Sequence, residues 1–116
     1  MRGAKTDVEL ELSRRLVAFY KDLHGRGPIM ARSLLLPEMA VTVMRQVLTP
    51  GEQTLVAGGR LVEVEQMRLR TAEVVRPRLL ALAAEVLETE VTASVTGIGV
   101  DDDLATETFL LAPEAA

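Results

Sequence analysis

The chain has 116 residues, 48 % of them hydrophobic and 26 % charged, with a formal net charge of −4; a length of this order suits one domain and buries roughly 65 % of its unfolded surface without cross-links. With no cysteine and one histidine, His24, the composition excludes disulfide frameworks, thiolate nucleophiles, Cys-ligated metals and His-rich metal clusters. Phe19, Tyr20 and Phe109 are the only aromatic residues, so the core has to be aliphatic.

Thr6-Asp7-Val8-Glu9 has the form of a capping box and predicts a helix start. Leu12, Leu16, Phe19 and Leu23 follow at the spacing of one helical face. Gly25, then Gly27-Pro28, ends that helix. Residues 29–36 and 39–48 predict a hairpin turning at Pro37-Glu38. On its second strand Met39, Val41, Val43 and Val47 share one face, broken by Arg45, and Ala40, Thr42, Met44 and Gln46 share the other. Thr49-Pro50-Gly51-Glu52 is a second helix start, with Thr as N-cap, proline at the first helical position and Glu at the capping-box position; Gly58-Gly59 closes this short helix. A long helical pattern covers residues 60–88, with Leu61, Val64, Met67, Val74, Val75, Leu79, Leu82, Val86 and Leu87 as its core-facing set. Pro77 inside it predicts a kink or a break near residues 75–77. Residues 91–100 and 105–112 read as a second hairpin across the polar turn Asp101-Asp102-Asp103.

The order α-β-β-α-α-β-β, with two hairpins and no forced parallel crossover, predicts a two-layer α+β domain: a four-stranded, mainly antiparallel sheet with helices packed on one face. The whole chain, residues 1–116, is expected to be a single domain with frayed ends at 1–5 and 113–116.

Chemistry-bearing residues are scattered singly. His24 closes the first helix and is read as a cation at the negative end of the helix dipole. The Gly25-Arg26-Gly27-Pro28 turn lacks the strand and helix context of a phosphate loop. Asp101, Asp102 and Asp103 lack the alternating ligands of a calcium loop and are read as a solvated turn. Arg60, Arg68, Arg70, Arg76 and Arg78 are interleaved with glutamates and read as a solvated helix flank. With so few aromatic residues for base stacking, nucleic acid is not an expected partner. Ser13, Ser33 and Ser94 sit in no nucleophile motif. Neither catalytic residue, metal nor cofactor is expected. Asp7, Glu9 and Glu11 interrupt the apolar stretch a signal peptide needs, and the apolar runs fall far short of the ~20 residues of a membrane span. A cytoplasmic chain without direct membrane insertion is expected.

Three ordered stretches resemble the MpsC-like family, named for component C of a sodium-translocating, membrane-potential-generating system. They are the Gly25-Arg26-Gly27-Pro28 turn, the segment from Leu48-Thr49 through Glu52 to Leu55, and Arg76-Pro77 followed by Leu79 and Leu82. The resemblance covers about residues 8–113 and implies a role label without a catalytic residue. With it, the expected function is a non-enzymatic interaction protein that pairs as a homodimer and docks on a membrane-protein partner, possible as an accessory subunit of an ion-translocating system. The alternative is a small-ligand or anion sensor whose site lies between the Gly25–Pro28 turn and the Thr49-Pro50 helix start. The residues expected to bind ligand or partner are Gly25, Arg26, Gly27, Pro28, Thr49, Glu52 and Arg76. Self-association is expected because the long helix is apolar on more than one stripe and one sheet face lacks a cover.

Overall fold

The computed structural model describes residues 4–113. Its elements are α1 (Lys5–His24), β1 (Met30–Leu35), β2 (Met39–Arg45), α2 (Pro50–Ala57), α3 (Leu61–Leu87), β3 (Val91–Gly99), a 3-10 turn (Val100–Asp102) and β4 (Leu104–Leu111). The four strands make one antiparallel sheet in the order β1-β2-β4-β3, so pairing of β2 with β4 joins the two hairpins. This is the predicted α+β architecture in its predicted order. Of the ends expected to fray, residues 1–3 and 114–116 lie outside the described residues, and Lys5 already belongs to α1.

Helices α1 and α3 cover one face of the sheet, α1 over β1 and α3 over β3. Leu12, Leu16 and Tyr20 from α1 and Val64, Val75, Leu79 and Leu87 from α3 are buried there against Met44 and Phe109. Strand register sets this inner face in rows. Ala31, Met44, Ala105 and Ile98 form one row, and Leu35, Ala40, Phe109 and Ser94 form another. Between them runs a polar row of Ser33, Thr42, Glu107 and Thr96. The more apolar side of β2, Met39, Val41 and Val43, faces away from the helices.

Several expectations are corrected by tertiary contacts. Thr6 does not cap α1: Ala4 is the N-cap, without a side-chain hydrogen bond. Glu9 is drawn off instead to accept from the Leu35 N–H at 2.8 Å, which satisfies a donor that edge strand β1 would otherwise leave open. The strand expected to run to Leu48 ends at Arg45, because Gln46 turns the chain at φ 57. Its N–H is held by the Asp103 carbonyl at 2.8 Å. Pro77 neither breaks nor ends α3, which is one helix from Leu61 to Leu87. Glu73, whose carbonyl loses its helical donor, and Pro77 both lie on the exposed side, so the freed carbonyl is not stranded in the core. The core stripe of α3 also differs: Met67 and Val74 are exposed, Val74 by 80 %, and Arg68 and Ala72 are buried in their place. The apolar stripe is therefore shorter than the count of apolar residues suggests, and one arginine read as solvated is interior.

At the end of α1, Gly25 takes φ +81 and its N–H bonds the Lys21 carbonyl at 2.8 Å, the left-handed stop that glycine adopts without steric cost. A Cβ at Gly27 would lie 3.0 Å from the Val17 carbonyl oxygen. The turn thus folds back closely onto α1, where a Cβ would require the Val17 backbone to give by a few tenths of an ångström.

Candidate functional site

Residues 46–49 form a junction between four parts of the chain. The Thr49 hydroxyl accepts from the Glu52 N–H at 3.1 Å, and the Glu52 carboxylate accepts from the Thr49 N–H at 2.8 Å, closing the predicted capping box. Glu52 is also gripped by Arg68 of α3, with Nε donating to Oε2 at 2.7 Å and Nη2 to Oε1 at 2.6 Å. The same Nη2 donates to the Val47 carbonyl at 2.6 Å. Arg26 Nη1 donates to the Leu48 carbonyl at 2.9 Å, and Asp103 Oδ1 accepts from the Leu48 N–H at 2.8 Å. Both Arg68 and Glu52 are buried. Burial pushes the Glu52 carboxyl up, but the bonds from Arg68 and Thr49 outweigh it and hold the group below its ordinary range.

The second cluster lies on the polar row. Tyr20 donates its hydroxyl hydrogen to Glu107 Oε2 at 2.7 Å, and Thr96 donates to Oε1 at 2.7 Å. Glu107 is 1 % exposed. Its burial raises the carboxyl above its usual range despite those two bonds, so the proton is held more firmly than in water. Burial, followed by the Glu107 charge and hydrogen bond, also raises the Tyr20 phenol. Beyond them the Ser33 hydroxyl bonds those of Ser13 and Thr42, each at 2.7 Å. His24 meets Tyr20 edge to face with centroids 5.6 Å apart. Its burial, helped by the Arg68 charge, pulls the imidazole down to about 4. His24 is therefore neutral at pH 7 and not the helix-end cation expected from its position.

Between the two clusters lies a narrow cavity lined by Tyr20, His24, Arg68, Thr96 and Glu107 together with apolar side chains from α1, α3 and the sheet. It offers about 20 Å³ to the centres of water-sized species, enough for one small occupant. Arg68 Nη1 is buried and has no hydrogen-bond partner among the described residues.

The structure places the sequence-derived site residues unevenly. Arg26, Thr49 and Glu52 converge on residues 47–49, and their polar groups are bonded to the protein itself. Gly25, Gly27 and Pro28 shape the turn that carries Arg26. Arg76 stands apart, exposed on α3, though its charge reaches Glu107. Sequence reasoning missed Tyr20, Arg68, Thr96 and Glu107. Two of them had a signal. Glu107 alternates with Ala105 and Phe109 on one strand face, and Arg68 falls at helical spacing among Val64, Ala72 and Val75. The Asp turn is not simply solvated either, since Asp103 is half-buried and holds Leu48.

The family described as Na+-translocating membrane potential-generating system (MpsC) matches residues 4–113. The uncharacterized protein YbcI of Bacillus subtilis (strain 168) is 28 % identical over 75 residues, which cover 63 % of this chain and 60 % of YbcI. The chain thus spans about three fifths of the length of that relative. No solved structure matches it.

Proposed function

Since the chain belongs to the MpsC family, we propose that it is a non-enzymatic interaction protein, an accessory subunit of a membrane ion-translocating system that works in the cytoplasm. Among the described residues no helix is long and apolar enough to cross a membrane. In this reading the translocation path belongs to a membrane-protein partner, and this chain docks on it and pairs with a second copy of itself.

One observation carries the reading: the outer face of the sheet is apolar and uncovered. Met30 and Leu34 of β1 are 61 % and 51 % exposed, and Val95 and Leu110 on the other hairpin are exposed as well. Met30, Leu34, Val41 and Val43 line an open groove of about 610 Å³, with Arg32 and Arg45 beside them. A contiguous apolar patch of this kind marks an association surface, and two-fold pairing is the commonest way to cover one.

Sedimentation equilibrium at micromolar concentration tests the self-association. The parent is expected at twice 12.6 kDa, and Leu34→Glu, on the exposed face, at the monomer mass. A parent mass of 12.6 kDa overturns the dimer. Pull-down from native membranes followed by mass spectrometry tests the accessory role. An integral membrane protein retained by the parent and lost with Leu34→Glu supports it, and none retained in this way overturns it.

A further inference from the structure

Arg68 has more donors than partners. Its Nε–H and one Nη2–H go to Glu52, and the other Nη2–H goes to Val47. The two Nη1–H groups remain, on a residue 5 % exposed, with no acceptor among the described residues. A charged donor left unpaired in the interior is expensive, and Arg68 lines a cavity with room for one small species. We propose that the cavity between α1, α3 and the inner sheet face binds one small monovalent anion, of chloride to formate size, with Arg68 Nη1 as its anchor.

The lining selects an acceptor. Arg68 can only donate. Tyr20 gives its hydrogen to Glu107 while that group is a carboxylate. Once Glu107 carries a proton, its O–H can bond the Tyr20 oxygen, and the Tyr20 O–H is free to turn toward the cavity. The charges agree. Glu52 balances Arg68 within their pair, whereas Arg76 makes no ion pair among the described residues and acts on Glu107 from α3. Arg78 lies over the ring of Phe19 at 5.0 Å, and Phe19 is itself part of the lining. With Glu107 protonated, the Arg76 charge that acts on it is left uncompensated, which favours a negative occupant. Room for one small species suits an anion of one to three heavy atoms better than tetrahedral phosphate or sulfate. This place is separate from the turn around Arg26, whose Nη1 is already bonded to Leu48.

Thermal melts of the full chain in chloride, bromide or formate, against sulfate and gluconate at equal ionic strength, give the first readout. A saturating rise is expected with the three small anions only, whereas sulfate raises the midpoint gradually and without saturation through its exclusion from the protein surface. Ala72→Leu removes no hydrogen-bonding group, takes up space in the cavity from α3 and is expected to abolish the rise. Should that variant fail to fold, Ala72→Val serves: its smaller side chain takes up part of the same space and is expected to weaken the apparent affinity without removing a hydrogen-bonding group. Crystals grown in bromide are expected to show an anomalous peak beside Arg68 Nη1. Midpoints that do not distinguish the salts, a rise that survives Ala72→Leu, or a water without anomalous signal in the cavity overturns the proposal.

Discussion

Glu107 occupies an inward position between Ala105 and Phe109, where period-two alternation calls for an apolar side chain, and it is tolerated because both of its oxygens are bonded. Because its folded-state pKa lies above the ordinary value of 4.5, the folded chain binds this proton more tightly than the unfolded one. Its contribution to stability is complete below pH 4.5 and is lost as pH rises through the folded value. His24 acts in the opposite sense: with its pKa lowered from 6.5 to about 4, it costs stability as pH falls across that window. Glu107→Gln keeps the shape and the acceptor for Tyr20 but carries no charge. Melts of parent and variant from below pH 4.5 to neutral pH should show a difference that grows in favour of the variant as pH rises, while the His24 slope stays in both. A gap moving the other way would show that the folded state prefers the carboxylate.

At the scale of elements, identical local signals had different outcomes. Both Thr-x-x-Glu segments have the chemistry of a capping box, but only Thr49 uses it. The difference is the competitor for the glutamate: Glu9 is taken by the edge of β1, whereas Arg68 binds Glu52 without removing it from Thr49. Thr49→Ala should therefore lower stability by about 0.5–2 kcal/mol, and Thr6→Ala should leave the melting midpoint unchanged. Equal losses from both would contradict these assignments. In α3 the proline removes one backbone bond without ending the helix, because Pro77 and Glu73 lie on its exposed side.

The molecule as a whole is elongated, 53 × 22 × 21 Å, because α3 has 27 residues, about 40 Å of helix, and outruns the sheet it covers. Among the described residues no group of three His, Cys, Asp or Glu is placed to hold a metal ion, and Asp103 of the acidic turn is already bonded to Leu48. The melting midpoint should be the same in EDTA as in excess Ca²⁺, Mg²⁺ or Zn²⁺. A rise of several degrees with any of them would identify a site built from the exposed carboxylates.

The sequence by itself determined the element order, the two hairpins, the helix that begins at Thr49 and the glycine turn after α1, because each depends on periodicity or on contacts within a few residues. The pairing of β2 with β4, the side of β2 that faces inward and the burial of Arg68 and Glu107 were decided only in the tertiary structure. Alternation shows that a strand has two faces without naming the buried one, and a charged residue on a core stripe reads as solvated until its partner arrives. For Arg68 that partner is Glu52, 16 residues away, and for Glu107 it is Tyr20, 87 residues away.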